Sequence, residues 1–259
     1  MSMFKKMLAS VGIGAAQVDL MLHESHVRPG DTLTGVVRIQ GGRVEQQVDA
    51  IYAFVKTNYI KEQDDKKYNV EATVSKHQLT GPMLVEPERT YEFPVSFELP
   101  ANTPATLGRT PVWIQTGMDI KDAVDPKDRD MLHVSPHPYA AAVLAAVVDH
   151  LGFRLREVTC EYAPKYSSSG QPFVQEFEFV PTSQFRSELD ELEIFFTPYE
   201  QGIELLLQID RKARGLSGWL AEAMDADEHF VKVNFSSRDI EQGPPFIASE
   251  LQRLIRSYV

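Results

Sequence analysis

VDLMLHESHVRPGDTLTGVVRIQGGRVEQQVDAIYAFVKT, residues Val18 to Thr57, decides the fold class. It opens with an apolar run, turns at Pro29-Gly30-Asp31, and runs out again through Leu33, Gly35, Val37 and Ile39. A second turn at Gly41-Gly42 leads into a third run with Ile51, Ala53 and Val55 on one side. Successive side chains of a strand point to opposite faces. Apolar residues two apart, bounded by Pro-Gly and Gly-Gly, therefore predict consecutive antiparallel strands. No reactive constellation interrupts the pattern.

The same spacing continues downstream. Lys67 to Leu79 places Tyr68, Val70, Ala72 and Val74 on one face, and Tyr91, Phe93, Val95, Phe97 and Leu99 alternate with Glu92, Pro94, Ser96 and Glu98. Pro94 has no N–H to give to a ladder, so that strand belongs at an edge or carries a bulge there. Val112 to Ile120 adds another strand. Strands in succession, with no helix longer than two turns, predict a β-sandwich over residues 1–136.

At His137 the pattern changes. PYAAAVLAAVVDHLG has proline at a natural helix start and Gly152 at its stop, and its alanines suit close packing in a seam between two halves. The second domain is set at 137–259. Its first strand, Phe153 to Tyr162, shifts its apolar set between Leu155 and Val158, as a bulge requires. Ile203, Leu205, Leu207 and Ile209, with Leu206 opposite, predict a central strand. Leu216, Trp219, Leu220, Ala223 and Met224 have helical spacing, and Val231, Val233 and Phe235 form the last strand. PPFIASELQRLIRSYV then predicts a helix with Ile247, Leu251, Leu254, Ile255 and Tyr258 on one face. That stripe is expected to fold back onto its own chain, since left exposed it would invite aggregation.

Composition narrows the function. A net charge of −11 repels phosphates, so nucleic acid is not the expected partner. One cysteine, Cys160, rules out an internal disulfide, fits a reducing cytoplasm, and sits where an inert core thiol is expected. The longest apolar run, Tyr139 to Val148, is about half of what a bilayer needs. Phe4 to Ala9 has a basic start, but Gly12 and Gly14 break the short run after it, so no secretory signal is read. The first ten residues can form an amphipathic helix with Phe4, Met7 and Leu8. It either packs on its own domain or makes a weak membrane-surface contact aided by Lys5 and Lys6.

No catalytic, cofactor or metal residues are assigned. Asp119, Asp122, Asp125, Asp128 and Asp130 lack the glycine turn and terminal glutamate of a calcium loop and read as a solvated turn. His133 and His137 have helical metal spacing, but Ser135, Pro136 and Pro138 prevent a helix there. Neither a phosphate loop nor a Ser-His-Asp order is found in suitable context. Arg211, Lys212 and Arg214 form a basic cluster in an acidic chain: either a solvated turn, or a docking point for an acidic segment or phosphate.

A strand followed by PGD-x-L-x-G-x-V-x-I and a long third strand resembles the first half of an arrestin-type domain. FKKMLASVGIGAAQVDL, GVVRIQGGRVEQQVDAIYAFV, TGMDI-x-x-AVDP-x-D-x-D-x-L-x-V, HLGFRLREV and Gly202 to Phe235 together resemble the sporulation-control SpoOM family over nearly the whole chain. The resemblance implies a mainly β protein of two arrestin-like antiparallel β-sandwich domains with a short interdomain helix and a C-terminal helix. It carries no catalytic residues to transfer. It implies a non-enzymatic, cytoplasmic adaptor or regulator that binds other proteins and is compatible with a homo-oligomer. A peripheral membrane- or cytoskeleton-associated protein using the N-terminal segment is the alternative. Arrestin-type folds also hold ionic groups between strands. The charged residues lying within apolar runs here are Asp19, Arg38, Asp49, Asp119, Arg154 and Arg156, and at least one Arg–Asp pair among them is expected to be removed from solvent.

Overall fold

The turn at Arg28 to Asp31 sets the first pairing. Gly30 takes φ 89°, left-handed backbone that glycine adopts without steric cost. Its N–H donates to Leu99 O at 2.8 Å, and the Asp31 N–H donates to Arg28 O at 3.0 Å. Asp31 Oδ2 accepts from the Arg28 N–H at 2.7 Å, which closes the turn. The computed structural model describes residues 15–64, 66–120, 127–167, 170–212 and 228–259. It is mainly β and divides into two compact units. One comprises Met1–Asn58, Val70–Thr106 and Pro111–Ser135, the other Tyr59–Asn69, Leu107–Thr110 and Pro136–Val259.

In the first unit, β1 (Gln17–Leu22), β3 (Thr32–Gln40) and β7 (Thr90–Glu98) form a 3-stranded antiparallel sheet with β3 in the middle. Pro94 lies in β7, an edge strand, which is where a residue without an N–H is tolerated. The facing layer is built on β4 (Gln46–Gln63), which pairs with β5 (Lys66–Thr80), β6 (Met83–Val85) and β8 (Val112–Ile120). β9 (Lys127–Val134) follows β8, and β2 (His26–Val27) pairs parallel to β9. Each strand gives one face to the core: Val37, Ile39, Val55, Ile114 and Met118 are fully buried. Burying one such side chain contributes roughly 1.5–3 kcal/mol.

In the second unit, β10 (Phe153–Tyr162), β11 (Phe173–Pro181), β12 (Leu189–Tyr199), β13 (Gly202–Arg211) and β14 (Glu228–Ser236) pair antiparallel in chain order. The register shifts between Leu155 and Glu157, the bulge the sequence required. The layer over one face of this sheet is helical. Helix α1 (Pro138–Ala145) starts at a proline, is capped by His137, and runs into a π-turn over Ala146–His150. Gly152, at φ 70°, ends it. A short α2 (Ser237–Glu241) opens with a capping box between Ser236 and Asp239. Helix α3 (Pro244–Arg256) then folds back, burying Ile247, Ala248, Leu251 and Ile255 against the sheet and α1. The tip of the β4–β5 hairpin also belongs to this unit: Ile60 pairs parallel with Glu161, and Tyr59 stacks 5.6 Å from Phe173. Cys160 is buried nearby, its Sγ 4.0 Å from Thr110 Oγ1.

Candidate interaction surfaces

The six ionic residues picked out by sequence are all exposed, which corrects the expectation of a buried Arg–Asp pair among them. Asp19 and Arg38 do stand opposite each other in the β1–β3 register, but on the solvent face, and Arg38 Nε donates instead to Glu92 Oε1 at 2.8 Å. Asp49, Asp119 and Arg154 likewise point outward. Strand alternation is the cause: an apolar neighbour on each side of a charge turns inward and sends the charge out. Arg156 is exposed too, but it reaches two carboxylates. It pairs with Glu178, whose side chain is only 12% exposed, and with Glu191 at 2.5 Å. The carboxylate withdrawn from water is thus Glu178, and its cation partner, Arg156, stays exposed.

Of the basic cluster, Arg211 and Lys212 are described, while Arg214 lies outside the described residues. So do residues 1–10 and the helical pattern from Leu216 to Met224. Lys212 is committed to its own chain: its N–H donates to Glu188 O and its Nζ to Arg186 O, both at 2.9 Å. Asp122 and Asp125 also fall outside. Asp128 Oδ2 accepts the Leu20 N–H at 3.0 Å. Burial, then the charge and hydrogen bond of Asp128 and the charge of Asp19, push Asp130 up to about 7. Among the described residues no three His, Cys, Asp or Glu side chains converge as metal ligands do. His133 stacks on His26 across the β2–β9 pair at 4.7 Å, and His137 Nδ1 accepts the Tyr139 N–H at 3.2 Å.

Two sheet faces carry more chemistry than the sequence reading assigned them. In the first unit, Lys76 Nζ sits 3.7 Å over the Tyr52 ring, Lys56 Nζ lies 5.8 Å over Phe54, and the Arg129 guanidinium lies 4.0 Å over Trp113. Lys56 also donates to Glu71 Oε1 at 2.5 Å. Cations thus cover aromatic faces along β5, β4, β8 and β9, with Trp113 itself buried beneath Arg129.

In the second unit, the face away from the helices carries glutamates on three neighbouring strands. They are Glu157 and Glu161 on β10, Glu176 and Glu178 on β11, and Glu191 and Glu193 on β12. Burial, reinforced by Glu161, Glu191 and Glu157, pushes the Glu176 carboxyl up to about 7. Burial raises Glu161 as well. Tyr166 stacks beside this face on Phe195 and Phe230, at 6.4 and 5.9 Å. Glutamates recurring every second residue in several predicted strands were the signal available for this face.

Residues 4–213 match the family model described as SpoOM protein. The sporulation-control protein Spo0M of Bacillus subtilis (strain 168) is 43% identical over 242 residues, 93% of either chain. The crystal structure of Spo0M from Bacillus subtilis superposes with a TM-score of 0.85 at 39% identity, covering 95% of this chain and 100% of that one.

Proposed function

This chain belongs to the SpoOM family, and on that premise we propose that it is a non-enzymatic regulator, an arrestin-like adaptor of the cytoplasm that binds other proteins. The observation that carries the reading is the form of its polar and aromatic side chains. Lys76, Tyr52, Phe54, Lys56, Trp113 and Arg129 lie in rows along strands rather than converging on a point. An enzyme or small-molecule site gathers a few polar groups in a concave pocket, whereas a protein interface is broad and rich in aromatics and arginine. The regulatory role follows the sporulation-control relative. Cys160, the single cysteine of the chain, is buried, which suits a reducing compartment.

The test is crosslinking of the full chain in lysate of its source organism, with mapping of the crosslinked peptides. The double variant Lys76→Glu, Arg129→Glu is expected to lose the captured partner while its circular dichroism is unchanged. Capture that survives charge reversal removes this face from the reading. No specific capture by the unmodified chain removes the adaptor reading itself.

A further inference from the structure

Strand β14 ends its sheet: among the described residues, β13 is its one strand neighbour. The outer edge of such a strand presents N–H and C=O groups at every second residue, a template for another extended chain. Helix α3 passes this edge without closing against it. Its fully buried residues face α1 and the core, while Phe246 and Leu254 turn toward β14. Between helix and strand lies a groove of about 410 Å³ floored by Val233, Phe235, Phe246 and Leu254. Phe235 is buried, whereas Val233, Phe246 and Leu254 are half-exposed, so an apolar strip lies open beside an open edge.

The rim fixes the chemistry of what fits. Glu250 is ion-paired with Arg253, and Asp239 is engaged by the Ser236 N–H and hydroxyl in the cap of α2. The rim carboxylates are therefore already engaged, Glu250 by a cation and Asp239 by hydrogen bonds, and the floor is apolar. A helix laid in the groove would leave the strand edge unpaired; an extended chain satisfies edge and floor together. Every pairing from β10 to β14 is antiparallel, and a further strand continues that ladder in the same sense.

We propose that β14 takes up an extended peptide of a partner protein by strand addition, antiparallel to β14, with uncharged apolar side chains at alternate positions seated between β14 and α3. The inference rests on the adaptor reading and names the kind of segment the adaptor holds. The intervening residues of the peptide fall on the face that carries Lys232 and Asn234, where polar side chains are accommodated.

The probe is a library of short random peptides displayed on phage and selected against the full-length protein, with counter-selection on Leu254→Asp. Enriched peptides are expected to alternate apolar and polar residues. Each, made as a free peptide, should slow amide hydrogen exchange in Phe230 to Ser236 by roughly tenfold or more. Affinity should fall at least about tenfold in Leu254→Asp, and in Phe246→Ser should the first variant lose its fold. A proline at the centre of an enriched peptide should abolish binding. The proposal is overturned by failure to enrich any peptide, by protection mapped to another element, or by binding that tolerates the proline or both groove variants. Concentration-dependent protection of β14 without peptide also overturns it, because the occupant is then a second copy. If peptides bind β14 while no partner is captured from lysate, the adaptor reading falls and the groove stands. The converse leaves an adaptor that uses another surface.

Discussion

Strands β3 and β13 bury themselves differently. In β3 the residues alternate between exposed and buried along nearly its whole length, because one face meets a sheet and the other meets water. In β13 Leu205, Leu206 and Leu207 are buried in succession, because the helices cover one face and buried side chains such as Phe195 crowd the other. The difference shows how each unit distributes its stability. The first unit closes its core with a whole sheet of three strands, β1, β3 and β7. The second unit draws much of its cover from α3, a single terminal helix of 13 residues.

Ending the chain at Gln242 is the most severe way to break this comparison. It removes Ile247, Ala248, Leu251 and Ile255, about 5–9 kcal/mol of gross burial. Whole domains are stable by only about 5–15 kcal/mol. Hydrogen exchange should then show β12 and β13 unprotected while β3 and β8 keep their protection. Equal protection in both units would mean that the helical layer is dispensable.

A finer contrast lies in two arginines of equal exposure, both with side chains 47% accessible. Arg38 serves Glu92, whose side chain is 51% exposed, so Arg38→Ala should cost about 0–1 kcal/mol. Arg156 serves Glu178, which is mostly buried, together with Glu191, so Arg156→Ala leaves a carboxylate in a poorly solvated place. A loss of about 1.5–3 kcal/mol in urea denaturation is expected, toward the lower end because water reaches the guanidinium. Equal costs would show that Glu178 finds another partner.

A third contrast is a dependence on pH. Among the described residues, a carboxyl in each unit is pushed up to about 7, Asp130 in the first and Glu176 in the second. Unfolded, each titrates near about 4. Between those values the folded chain keeps a proton that the unfolded chain has released. Stability therefore falls as pH rises through this window and levels off above about 7. Glu176→Gln and Asp130→Asn should each raise the melting temperature at pH 8 and change it little at pH 4. Burial is the leading cause for both carboxyls and both are pushed up to about 7, so the two variants should gain by similar amounts. A gain at pH 4 instead would point to packing rather than charge.

Much of this architecture was legible because it depends on neighbours in sequence. The Pro29-Gly30-Asp31 turn, the edge position of Pro94, the bulge after Leu155 and the α3 stripe each follow from local geometry or periodicity. What escaped depends on pairing at long range. The 18-residue length of β4 was hidden because its apolar alternation fades after Val55, and its far end is held by Tyr162 and Phe173. The charged residues within apolar runs misled for the opposite reason: hydrophobic neighbours say that a strand is half-buried, not that its charges are. The glutamate face and the groove beside β14 arise only when separate strands and a helix are brought side by side.

The tip of the β4–β5 hairpin has a consequence for synthesis. Residues Tyr59–Asn69 are assigned to the second unit, yet they leave the ribosome well before Pro136, where the rest of that unit mostly begins. Tyr59 must wait for Tyr162 and Phe173, separated from it by about a hundred residues, or roughly 5–20 s at ordinary translation rates. The first unit can complete its own pairings during that interval while its longest hairpin still lacks a home for its end. The second unit cannot be made from any contiguous stretch that starts at Pro136, since part of its sheet was translated earlier. A gene cut at that point would yield one fragment with a stranded tip and another with a missing edge, and only their reassociation would restore both.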